Sequence, residues 1–168
     1  MKRLIVLAAA FALAAGCSRA PDRIQHGQWE FEIVMTSLDA PGLPPEAVQQ
    51  AQAALNRPQR NRECVTPDET ANPLADVRGQ LTGNQGMICE TSEDQFSGGV
   101  IRFIANCRNS NGAAGQLRLT LEGRYEAITL LADVAIDAEI PNPNGSGPMS
   151  LRTRGTFKGR RVGSCASR

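Results

Sequence analysis

Residues 28–38 alternate in polarity. Trp29, Phe31, Ile33 and Met35 fall on one face, and Glu30, Glu32 and Thr36 on the other. A period of two with one apolar side is the pattern of a half-buried strand. The same period returns later in the chain. Leu117, Leu119 and Leu121 alternate with Gln116, Arg118, Thr120 and Glu122. Ile128, Leu130, Ala132, Val134, Ile136 and Ala138 share one face of a long strand, and Met149, Leu151, Thr153 and Phe157 point inward along the next, with Arg152 and Arg154 outward. Gly123-Arg124 and Lys158-Gly159 read as turns, the second preceding a last short strand from Arg161 to Cys165. The proline- and glycine-rich run from Pro141 to Pro148 reads as an exposed loop.

Between the first strand and this meander the pattern changes. Pro41-Gly42-Leu43-Pro44-Pro45 breaks the chain, and Glu46 to Leu55 follows, free of Gly and Pro. Proline at the first turn and a thin stripe of Val48, Ala51 and Leu55 predict a helix. Such an insertion is a flap, a partner site, or a helix packed loosely over one opening of the sheet; connections usually do the last. Residues 60–66 predict a short strand carrying Cys64. Thr66-Pro67-Asp68-Glu69 is a helix start, with a hydroxyl cap, proline first and acids in the first turn. A short helix and loop reach Gln80, and Gly83-Asn84-Gln85-Gly86 is a turn.

Residues 87–96 and 100–107 predict a hairpin joined by Ser97-Gly98-Gly99, a three-residue connection with glycine at the left-handed position. Pairing Phe96 with Val100 carries the register back to Cys89 opposite Cys107. Directly opposed residues have Cβ atoms about 4.5–5.5 Å apart, close to disulfide range. Elimination leaves Cys64 to pair with Cys165, closing a loop of about 100 residues. The fold expected is mainly β: a single antiparallel curved meander sheet or partial barrel. It has about seven or eight strands and one or two short helices near one opening.

The N-terminus is an address. Lys2 and Arg3 precede an unbroken apolar run from Leu4 to Ala15. That run is shorter than the ~20 residues a membrane-spanning helix needs and fits a signal segment. It ends Leu13-Ala14-Ala15-Gly16-Cys17, which resembles the bacterial lipobox, with Ala14 where leucine is usual. Lipidation of Cys17 by acyl chains such as palmitate is the expectation, and simple secretion with cleavage near Ala20 is the rival. Ser18, not Asp, follows the cysteine, which in lipoproteins implies sorting to the outer membrane, facing the periplasm. The expected organisation is a signal peptide over residues 1–16, a tether over 17–27, one β-rich domain over 28–165 and a tail over 166–168.

Removing residues 1–16 from the 168 leaves 152, enough for one domain with a real core. The mature chain then carries 16 basic against 17 acidic side chains, a net charge of −1, which argues against general nucleic-acid binding. His26, the only histidine, has no partners for a metal site. The four cysteines beyond Cys17 lack a C-x-x-C pair, which speaks against zinc and thiol redox chemistry. Glu30 and Glu32 on one strand face, and Asp133 and Asp137 on another, admit paired-carboxylate catalysis. Solvent-facing acids on an alternating strand are the ordinary result. Serines occur without a G-x-S-x-G elbow. Residues 148–168 hold six basic side chains and no acid, whereas 61–94 hold seven acids against two arginines. Contact with anionic headgroups is one reading. Mutual neutralisation of the two ribbons across the sheet is the other, and the preferred one.

Several fragments carry a family resemblance: Trp29-Glu30-Phe31, Pro41 to Pro45, Cys64-Val65-Thr66-Pro67-Asp68-Glu69, the hairpin from Cys89-Glu90 to Cys107, and the terminal stretch Gly159 to Cys165. In this order, with all four cysteines in place, they resemble the uncharacterised bacterial envelope family called domain of unknown function 3617, over roughly residues 27–165. The resemblance implies a signal peptide or lipobox, in agreement with Cys17. It implies no activity and no site. The strands hold few methionines, so a methionine-based metal-handling role is unsupported. The expectation is a non-enzymatic envelope lipoprotein without a cofactor, held to the membrane by its lipid. Its other partner would be an envelope protein or a small apolar ligand. The alternatives are an enzyme acting on an envelope component and a secreted periplasmic binder of small apolar ligands.

Overall fold

A computed structural model describes residues 23–83, 87–110, 115–142 and 147–166. The signal segment and Cys17 lie outside the described residues, as do Asn84 to Gly86 of one expected turn and residues 143–146 of the expected loop. The described strands are β1 (Gly27–Asp39), β2 (Gln59–Val65), β3 (Met87–Ser97), β4 (Val100–Asn109), β5 (Gln116–Tyr125), β6 (Thr129–Pro141) and β7 (Pro148–Gly163). The helices are α1 (Pro45–Leu55), α2 (Pro67–Ala71) and α3 (Ala75–Gly83). All seven strands form one open antiparallel sheet in the order β2-β1-β7-β6-β5-β4-β3. From β3 to β7 the chain is a meander. β7 then pairs with β1, placing the first strand between the last strand and β2. The mainly β architecture is the one the alternation predicts.

Two expected turns are strand interior instead. Gly123 lies inside β5 opposite Ala132, where an added Cβ would collide with the backbone of β6 at Leu131 and Ala132. Gly159 lies inside β7, opposite both Phe31 and Leu130. Each glycine serves close approach between layers of atoms, the other use of glycine within a strand. One 16-residue strand therefore replaces two shorter ones.

The β3–β4 hairpin corrects the expected register. Ser97 pairs with Val100, and Phe96 with Ile101. The connection is the two-residue turn Gly98-Gly99, with φ of 60° and 78°, a backbone that glycine adopts without strain and that suits hairpin twist. A bulge between Thr91 and Glu93 then shifts the pairing by one residue, so Cys89 still faces Cys107. The region expected as one short helix and a loop forms α2 and α3. Asn72-Pro73 separates them, since proline cannot continue the preceding turn. Thr66 caps α2 reciprocally: Glu69 N–H donates to its hydroxyl at 3.3 Å, and Thr66 N–H donates to Glu69 Oε2 at 2.5 Å.

The core lies on one face of the sheet. Trp29 and Phe103 are fully buried, and Trp29 Nε1 donates to the Gln25 carbonyl at 2.9 Å, satisfying the one polar atom of the indole. Trp29, Phe31 and Phe157 stack in series, with centroid separations of 5.9 and 5.6 Å. Ile24 is buried in the same cluster, so packing begins three residues before β1. Helix α1 buries none of its residues; only Leu55 touches the core.

Candidate functional site

Register arithmetic builds the concave face. Residues opposite one another on paired strands share a face. One such row runs across the whole sheet: Gln59 on β2, Ile33 on β1, Phe157 on β7, Ala132 on β6, Gly123 on β5, Ile101 on β4 and Phe96 on β3. The small residues Ala132 and Gly123 sit in the middle of the row, where a side chain on Gly123 would meet the β6 backbone. Above this surface lies a cavity of about 660 Å³, within the ~300–1,000 Å³ range of small-molecule sites. Leu119, Leu121, Leu130, Val134 and Ile136 supply much of its wall. Pro73, Leu74 and Val77, from the turn between α2 and α3 and from α3 itself, cover part of it. An ion pair between Arg78 and Asp94 fastens α3 to β3, and Arg78 also bonds Asn72.

The polar residues of the lining gather at one end. Gln59, Arg60, Asn61 and Glu63 come from β2, and Glu69 from α2. Two of these are committed elsewhere. Arg60 Nε donates to Glu32 at 2.7 Å, and that bond raises its already high pKa. Glu69 closes the α2 cap, and the Thr66 N–H holds its carboxyl below the usual carboxylate range. Among the described residues, nothing pairs with Glu63.

The paired carboxylates turn away from this cavity. Glu30 and Glu32 lie on the convex face, where Glu30 meets Arg62 at 2.9 Å and Arg160 at 3.8 Å. The Arg62 hydrogen bond, with smaller help from neighbouring guanidinium charge, lowers the Glu30 pKa. Asp137 accepts from Arg154 at 2.9 Å. Three of the five basic residues of β7, Arg152, Arg154 and Arg160, are thus met by acids of its own neighbours: Asp39 and Glu30 on β1 and Asp137 on β6. The acidic stretch 61–94 is not their counterpart, because β1 separates β2 from β7 and β3 lies at the far edge.

Cys64 stands with Cys165 at a Cα separation of 5.5 Å, and Cys89 with Cys107 at 4.0 Å, both as disulfides. The first closes a stretch of 101 residues and pins the C-terminus to β2; the second crosses the β3–β4 hairpin. His26 is exposed, and its carbonyl accepts from Arg161 Nε at 2.8 Å. Among the described residues, no group of three or more His, Cys, Asp or Glu side chains could hold a metal ion. No described helix is long and apolar enough to cross a membrane. The expectation of a small apolar ligand anticipates an apolar interior, but the polar end of the cavity went unread in the sequence. The missing signal was the phase of β2: Gln59, Asn61 and Glu63 face inward beside Ile33, Phe31 and Trp29.

These features define a disulfide-linked open β-sheet with an apolar concave site. The chain belongs to the family of proteins of unknown function designated DUF3617, whose model matches residues 24–165. No curated protein matches the chain, and no solved structure does.

Proposed function

We propose that this protein is an exported lipoprotein, anchored through an acylated Cys17, whose domain serves the cell envelope as a non-enzymatic module for a small apolar ligand. The observation that carries the ligand half is the 660 Å³ cavity, with its wall of aliphatic and aromatic side chains. Burying an apolar ligand there contributes about 25 cal/mol per Å² removed from water. The pKa shifts at the rim, those of Arg60 and Glu69, have local causes in an ion pair and a helix cap. That favours binding over acid–base chemistry. Cysteine pairing supports the anchor: of five cysteines, four are in disulfides. Cys17 is the one left for acylation, at the end of a signal-like segment. The periplasmic face of the outer membrane is the proposed address, on the strength of Ser18.

The test combines two measurements on protein purified from its own envelope. Intact-mass analysis should give a chain starting at Cys17 with added acyl mass and two disulfides. The Cys17→Ser variant should lose that mass and leave the membrane fraction. N-Phenyl-1-naphthylamine, an apolar fluorophore, should brighten saturably with the soluble mature Cys17→Ser chain. An unmodified Cys17 overturns the anchor; a fluorophore that stays dark overturns the ligand site.

A further inference from the structure

The cavity is polar at one end and apolar across its length, and that asymmetry carries a ligand class. The row from Gln59 to Phe96 crosses all seven strands. With strands ~4.8 Å apart, it measures roughly 29 Å along the curved surface. Among the described residues, every polar lining residue belongs to β2 or to α2, at one end of that row. The far end is Ile101 and Phe96. A compact apolar molecule would use only part of this path. A long chain with one polar end would use all of it.

The mouth also discriminates charge. Among the described lining residues Arg60 is the one cation, and Glu32 holds that guanidinium at 2.7 Å. Glu69 is tied into the α2 cap. What remains for a ligand is the pair of side-chain amides of Gln59 and Asn61, beside the exposed, unpaired carboxylate of Glu63. Amides donate and accept hydrogen bonds to hydroxyls and esters. Glu63 repels an anion and leaves a neutral head undisturbed.

We infer that the site takes a single-chain amphiphile with an uncharged head. The head, such as a monoacylglycerol's, lies against Gln59, Asn61 and Glu63, and the acyl chain runs across the sheet toward Ile101 and Phe96. This rests on the apolar-ligand reading above and narrows it. A fatty-acid anion shares the tail but meets Glu63 with the wrong charge.

The test is displacement of N-phenyl-1-naphthylamine from the full mature Cys17→Ser chain at pH 8. The competitors are 1-monopalmitoylglycerol, palmitate and a monoacylglycerol series of shorter chains, each below its aggregation threshold. 1-Monopalmitoylglycerol should compete at least tenfold better than palmitate. Glu63→Lys should shift the ratio of palmitate to monoacylglycerol affinity about tenfold toward palmitate. Affinity should climb with chain length up to the palmitoyl chain. Equal affinities for the two heads in both proteins, or no dependence on chain length, would overturn the inference while leaving an apolar site standing. A fluorophore that never binds would sink the site itself. Far-UV circular dichroism of Glu63→Lys checks its fold, and Glu63→Gln, a milder change on the same exposed strand, should shift palmitate in the same direction.

Discussion

Gly159→Ala should destabilise the domain, although alanine is ordinarily the better strand residue. A Cβ at this position would stand 2.8 Å from Leu130 Cγ and 2.9 Å from two carbons of the Phe31 ring. Neither neighbour retreats easily. Phe31 is stacked between Trp29 and Phe157, and Leu130 is buried. Forcing an extra carbon into such packing costs about 1–3 kcal/mol. Replacing glycine returns about 0.5–1 kcal/mol by restricting the unfolded chain. The net expectation is a loss of about 1–2 kcal/mol. Gly163 is the internal control, because it ends the same strand with nothing within 4 Å of its would-be Cβ. Gly163→Ala should be neutral or stabilise by up to about 1 kcal/mol. The assay is equilibrium urea unfolding of the oxidised mature chain, followed by the fluorescence of Trp29, its only tryptophan. With a slope of about 1.5 kcal/mol per molar, the Gly159→Ala midpoint should fall by about 1 M and that of Gly163→Ala should not fall. A Gly159→Ala midpoint at or above that of the parent would refute the close-packing account of β7.

Three further expectations follow from the crosslinks, the α2 cap and the cavity. Removing Cys64–Cys165 frees a 101-residue stretch and removing Cys89–Cys107 an 18-residue one. Chain entropy makes the first loss larger by about 1.5 kcal/mol, and paired alanine variants compared by thermal unfolding would expose a reversed order. Thr66→Ala should cost about 1 kcal/mol; it keeps the Thr66 N–H bond to Glu69, the larger cause of the lowered pKa, and removes the hydroxyl's smaller share, so the Glu69 carboxyl should move only part of the way back toward its ordinary range. Because the folded pKa is lowered, the cap's contribution is complete above about pH 4.3 and fades as pH falls through the lowered value; carbon-detected NMR titration of Glu69 in both proteins checks the direction. Val134→Trp, which projects a large ring into the cavity wall, should cut N-phenyl-1-naphthylamine binding at least tenfold with an unchanged far-UV spectrum.

The legible part of this fold was the part governed by single-strand periodicity. Trp29 to Met35 and Leu130 to Ala138 announce their faces, because one side of each strand meets the core and the other meets water. Glycine was ambiguous for a physical reason: the missing side chain serves both positive φ and close approach. Gly98 and Gly99 use the first property; Gly123 and Gly159 use the second. Only the partner strand distinguishes them, and that partner is remote in sequence, Phe31 in the case of Gly159. The cysteine hairpin makes the same point from the other side. The expected turn was one residue too long, and the bulge between Thr91 and Glu93 was unseen. The two shifts cancel, so Cys89 meets Cys107 regardless. A disulfide constrains only the register at its own position, and a correct pair therefore says little about the strand between it and the turn.

The polar end of the candidate site was illegible for a related reason. Gln-Arg-Asn-Arg-Glu along β2 is polar on both faces, so alternation alone gives it no inside. Pairing with β1 gives it one, because Gln59, Asn61 and Glu63 stand opposite Ile33, Phe31 and Trp29. An edge strand flanked on one side only can keep polar residues on its concave face, since solvent reaches them from the open edge. A central strand could not do so without burying them. The polar end of the cavity is therefore a consequence of where β2 falls in the strand order. The same topology that returns β7 to β1 and leaves β2 outermost places amides and a carboxylate at the mouth of an otherwise apolar surface. Moving Asn61 to the equivalent position on β6, as Leu130→Asn, would put an amide at a buried position walled by aliphatic side chains. It should cost stability rather than change ligand preference, whereas Asn61→Leu should do the reverse.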